Sequence, residues 1–124
     1  MRRSTTDRRL LVGAVTVLVA LAGSCGGDDA VDRGRAVAQD VGCTSCHSTG
    51  TDDGIGPGWG GIWGTERELA DGSTVMVDEE YLRRSITDPD AEVVAGWEPI
   101  MPRIALSDGE LDDVVAYLRE VTGG

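Results

Sequence analysis

Apolar positions in this chain follow several distinct patterns, and each predicts a different kind of element. From Leu10 to Ala22 they run almost unbroken, after Arg2, Arg3, Arg8 and Arg9 and before the small residues that lead to Cys25. A basic flank, a short apolar stretch and a small-residue end predict an export signal over residues 1–24. The run is too short for a spanning helix of about 20 residues. Gly26 to Ala30 reads as a short tether to one domain over residues 31–124. There Val31, Val37, Ala38 and Val41 give a rough helical face, with Asp29 or Asp32 placed to cap its start and Gly42 to end it. Gly34, lacking a side chain, leaves room for another helix to cross.

The clearest helical period comes last. Leu111, Val114, Val115, Leu118 and Val121 recur at helical spacing, flanked by Tyr117, and Ser107 with Glu110 forms a capping-box pattern before them. Asp78 can cap a third helix through Ile86, which Asp88-Pro89 stops. Thr65–Ala70 and Ser73–Val77 predict a small hairpin about Asp71-Gly72, a pair suited to a type I′ turn. Gly54 to Gly61 is too rich in Gly and Pro for regular structure. A phosphate loop is the other reading of that stretch, but it lacks the Lys-Ser/Thr ending. The predicted fold class is all-α with a small β-hairpin insertion.

Charge narrows the partners. All 11 basic residues are Arg, against 22 acidic ones. Cleavage before Cys25 would remove four Arg and Asp7, leaving 7 positive and 21 negative charges in 100 residues, a net of −14. Such acidity argues against nucleic acid and suits a basic docking partner or plain solubility. Asp108, Glu110, Asp112 and Asp113 sit where a helix macrodipole favours carboxylates, without the loop spacing of an oxygen-ligand metal site.

Chemistry concentrates at Cys43-Thr44-Ser45-Cys46-His47. Two thiols three positions apart, followed directly by an imidazole, are the pattern of covalent haem attachment. Each thiol can add across one haem vinyl group, and the next residue on the same turn presents its imidazole to the iron. A thioredoxin-like site would want a βαβ context, and a structural zinc site four Cys or His ligands; neither is present. His47 is the single histidine, so a second imidazole from this chain cannot be the other axial ligand. Met is among the remaining iron ligands, and the candidates are Met1, Met76 and Met101. Met1 goes with the signal, and Met76 follows the hairpin turn in a strand-like pattern. Met101 lies between Pro99 and Pro102, in a stretch held stiff and extended, and is the expected sixth ligand.

Around these, Pro57, Trp59, Trp63 and Trp97 are expected to wall a haem crevice, given the size and amphipathic character of Trp. Arg83 and Arg84 are expected at the surface or facing the haem propionates. With no Phe, three Trp and two Tyr, a domain of this size needs the porphyrin as part of its core. Leu21-Ala22-Gly23-Ser24-Cys25 resembles a bacterial lipobox, in which Cys25 becomes the acylated first residue. An exported, lipid-anchored position on the outer face of the bacterial cytoplasmic membrane follows.

Taken together these residues resemble the class I monohaem cytochromes c, from about Asp32 to Val121. Gly56-Pro57-x-Trp59, Ile62-Trp63-Gly64, Asp71-Gly72-Ser73, Tyr81-Leu82-Arg83-x-Ser85-Ile86, Val94–Trp97 and Met101-Pro102 are similar to the cytochrome c domain fused to subunit II of some haem-copper oxidases. The resemblance implies a fold whose N- and C-terminal helices cross around one covalent haem c, Gly34 meeting the last helix near Tyr117. It also implies that Cys43 and Cys46 hold the vinyl carbons, that His47 and Met101 ligate the iron, and that the Pro57 carbonyl accepts a hydrogen bond from His47. Ala38 departs from an aromatic frequent there. The transmembrane helices and copper ligands of the fused subunit are absent too, so a free-standing electron carrier, not an enzyme, is expected. Its partners would be redox proteins, namely an oxidase, a quinol-cytochrome c reductase or a dehydrogenase, with no small-molecule substrate. Two rivals stay open: an electron-accepting subunit of an exported dehydrogenase or reductase, and an open-site haem sensor or peroxidase.

Overall fold

The computed structural model describes residues 26–124; the export signal, Met1 and Cys25 lie outside them. The described chain runs α1 (Gly26–Asp40), a single 3-10 turn (Cys43–Ser45), β1 (Glu66–Glu68), β2 (Thr74–Met76), α2 (Glu79–Thr87) and α3 (Asp108–Thr122). It is mostly helical with one small antiparallel sheet, as the apolar periods predict.

Each helix has a local cause. Ser107 and Glu110 complete both halves of the capping box that starts α3. The Asp78 carboxylate accepts the Tyr81 backbone N–H at 2.8 Å, starting α2. Residues 26–30, expected as a tether, are helical and belong to α1. Asp28 and Asp29 in its first turn complement the helix dipole, which offsets the low propensity of the Gly pair.

The core is built where the three helices meet. Ala38 of α1, Tyr81, Leu82 and Ile86 of α2, and Val114, Val115, Tyr117 and Leu118 of α3 are buried together with Trp59 and Val77. Gly34 lets α1 and α3 cross closely: a Cβ there would overlap the Asp113 carbonyl and come 2.9 Å from Tyr117 Cβ. At the rim of this crossing Arg33 donates two hydrogen bonds to the Asp113 carboxylate, at 2.7 and 2.8 Å.

In the hairpin Glu66 faces Met76, Arg67 faces Val75 and Glu68 faces Thr74. The middle pair is partly buried and the flanking residues are exposed, the alternation a one-sided sheet requires. The turn differs from the expected type I′. Leu69 N–H donates to Ser73 O at 2.8 Å and Gly72 N–H to Leu69 O at 2.9 Å, so the loop is Ala70-Asp71-Gly72. Only Gly72 has positive φ, +84°, which is the three-residue loop with a glycine bulge. Asp71 keeps negative φ because its carboxylate accepts both the Ser73 N–H and hydroxyl. Ala70 N–H to Val93 O and Ala95 N–H to Glu68 O then tie the hairpin to the segment leading to Met101.

Candidate cofactor cleft

A single turn of backbone aligns the three residues of the attachment motif. The N–H groups of Cys46 and His47 both donate to Cys43 O, at 3.3 and 3.0 Å. Cys43, Cys46 and His47 therefore open on one side, into a cleft of about 230 Å³ lined chiefly by apolar groups. Both cysteines are free and half-buried; burial pushes the Cys43 thiol up.

The imidazole of His47 is held before any metal reaches it. Its Nδ1 lies 2.8 Å from Pro57 O, and a carbonyl can only accept, so Nδ1 is the donor and, in the neutral ring, the lone pair of Nε2 is left for a metal. Gly56 lies on a face of the ring: an added Cβ would sit 2.5 Å from Cε1 and 2.8 and 2.9 Å from the two nitrogens. The Trp59 indole stacks on the imidazole at 5.1 Å and 17°, and the Tyr117 ring meets Trp59 edge-on at 6.4 Å. Trp59 is 9% exposed. The loop keeps this geometry through Gly56 N–H to Cys46 O, Trp59 N–H to Ser48 O and Gly60 N–H to Gly50 O, all between 2.8 and 2.9 Å. A half-buried imidazole with one nitrogen committed and the other free is the arrangement of a metal-ligating histidine.

Met101, Pro57, Trp59 and Trp97 line the same cleft as the two cysteines and His47. Met76 does not; it is on the outward face of β2, 45% exposed. Trp63 also lies apart from the cleft. Its N–H donates to Thr122 O at 3.0 Å, and its ring carries the Arg119 guanidinium at 5.3 Å and packs on the C-terminal Gly124. The chain turns at Gly61, where φ is +71°, sending Trp59 and Trp63 to different sides. Arg83 and Arg84 do not line the cleft and are taken by carboxylates, Arg83 by Glu79 and Asp112 and Arg84 by Glu80 and by Glu92, which itself lines the cleft.

Sequence reasoning passed over Arg67, Tyr81 and Ser85, which also line the cleft. The strand period around Arg67 was the available signal, since every second residue of a one-sided hairpin faces inward. The donor set suits a flat apolar group with two covalent links: two thiols and a free imidazole nitrogen on one wall, a thioether on the same cleft, and few competing polar atoms. The family model of cytochrome c matches residues 31–122. A search of the curated proteins finds no match.

Proposed function

The chain belongs to the cytochrome c family, and on that premise we propose that it is a membrane-tethered shuttle carrying single electrons toward a terminal haem-copper oxidase. Membership brings a covalently attached haem c with its iron, the class I fold and electron transfer with redox protein partners. Bound haem supplies the one-electron couple between ferrous and ferric iron. In this reading Cys43 and Cys46 would hold it, His47 Nε2 and the Met101 thioether would be the iron's protein ligands, and the Pro57 carbonyl would fix the tautomer that makes His47 a ligand.

The observation that carries the reading is the pairing of a pre-oriented His47 with Met101 on one cleft. Ligation by His and Met closes the iron to small molecules and raises its potential relative to two imidazoles, which suits delivery toward an oxidase. Acylation of Cys25 would hold the carrier at the membrane face where such partners work.

Carbon monoxide tests the closed site. The untreated ferrous protein is expected to bind none, and ready binding would transfer the chain to the sensor or peroxidase class. Membranes from the native cells should oxidise the ascorbate-reduced protein in a cyanide-sensitive way if the oxidase is the acceptor. Cys25→Ala is expected to move the protein from the membrane to the soluble fraction; retention in the membrane would remove the lipid from the proposal.

A further inference from the structure

Carboxylates outnumber guanidiniums 21 to 7 among the described residues, so any arginine there has partners to choose from. Arg33, Arg35, Arg83, Arg84 and Arg103 each pair with at least one carboxylate, and Arg119 covers the Trp63 ring. Among the described residues Arg67 alone has neither kind of partner. It is also the one arginine that lines the apolar cleft. Its strand neighbours Glu66 and Glu68 are on the opposite, exposed face. Two carboxylates line the cleft as well, Glu92 and Glu98; Glu92 accepts two hydrogen bonds from Arg84, at 3.1 and 3.2 Å, and neither is within ion-pair distance of Arg67.

A half-buried guanidinium against apolar walls is costly without a counter-ion. We propose that Arg67, beside the phenol of Tyr81, is the anchor for a carboxylate of the prosthetic group, a haem propionate. The guanidinium fork suits a carboxylate in two-point contact. Tyr81 is 7% exposed; burial raises its phenol pKa, opposed by Ser85 and then by the nearby Arg67 charge, so the hydroxyl stays a donor at neutral pH. The hairpin thus serves to carry one cation across the chain and present it to the cleft, tied in place by its hydrogen bonds to residues 93–95. The proposal rests on covalent haem alone and is independent of the tether, the axial Met and the oxidase.

Arg67→Gln, Arg67→Lys and, as a control for lost surface charge, Arg103→Gln are made as holoproteins, with haem attachment checked by the pyridine haemochrome spectrum. Resonance Raman then reads the propionate bending band, and redox titration reads the midpoint potential against pH. A guanidinium contact holds a carboxylic acid well below its free value, so the wild-type potential stays level across neutral pH. In Arg67→Gln the propionate pKa should rise by about 1 to 3. The potential then falls with increasing pH in a window where wild type is level, and the bending band shifts. Arg67→Lys keeps the charge but loses the fork, so its band shifts while its potential stays level. An Arg67→Gln protein with the wild-type band and pH profile overturns the proposal, as does an equal response in Arg103→Gln. Should Arg67→Gln fail to yield holoprotein, an unshifted band in Arg67→Lys overturns it and a shifted one supports it.

Discussion

Met101 contributes a thioether to the cleft wall, and its loss should be the most visible single change in the molecule. Met101→Ala is expected to abolish the far-red sulfur-to-iron charge-transfer band and to open the ferrous protein to carbon monoxide; survival of the band would remove Met101 from the ligand set. Trp59 is a packing question of a different size. Its indole fills the space between His47 and Tyr117, so Trp59→Ala should destabilise the holoprotein by about 3 to 5 kcal/mol, read by denaturant melts. At this scale the sequence is informative wherever chemistry fixes spacing. Cys43, Cys46 and His47 must share one helical turn, and a rigid proline-flanked Met has few other uses. Trp63 escapes that logic, because the side a loop residue faces depends on turns several residues away, such as the positive φ at Gly61, while Arg67 was legible only through the period of its strand.

Between elements, the α1 and α3 crossing depends on what is missing at position 34. Gly34→Ala would press a methyl group into the Asp113 carbonyl and should cost about 1 to 3 kcal/mol, again by denaturant melts. The Arg33–Asp113 pair at the same crossing gives stability a pH dependence. Its hydrogen bonds from Arg33 hold the Asp113 carboxyl below its ordinary 3.8. A lowered folded value means that the contribution is present above the unfolded pKa and is lost as pH falls through the folded one. Wild type should therefore exceed Arg33→Gln in stability at neutral pH, and the two should converge below about pH 4, as followed by acid unfolding of the ferric protein. Helix periods and the caps of α2 and α3 were legible in the residues because they are local, Ser107 with Glu110 and Asp78 with Tyr81 acting within one turn, while the Asp29 or Asp32 cap expected for the first helix falls inside α1. The hairpin loop was not, since choosing between two and three loop residues depended on the Asp71 side chain binding Ser73.

As a whole the molecule is a thin shell around its cofactor. A domain of roughly 100 residues buries only about two-thirds of its unfolded surface, and this one has a 230 Å³ cleft against its core residues Trp59, Tyr81, Leu82 and Leu118. Protein prepared without haem, as with both Cys43 and Cys46 changed to Ser, should show no cooperative thermal transition; a sharp melt would show that the three helices suffice. Whether the large acidic excess steers docking or only keeps the protein soluble is read from its salt dependence. Transfer to a basic acceptor should slow steeply as salt rises, because the attraction is screened beyond about 8 Å at physiological ionic strength, and a salt-independent rate would point to apolar docking.

The hairpin register has a consequence for how this fold can be altered. Arg67 reaches the cleft only because it occupies the inward parity of β1, paired with Val75. Slipping the strand by one residue would turn Arg67 to solvent and aim the carboxylate of Glu66 or Glu68 at the cofactor instead. The Ala70-Asp71-Gly72 loop can therefore accept extra residues at its tip, while the strands tolerate length changes only in twos. For anyone rebuilding the protein, parity in this short ribbon decides the sign of the charge that the haem meets.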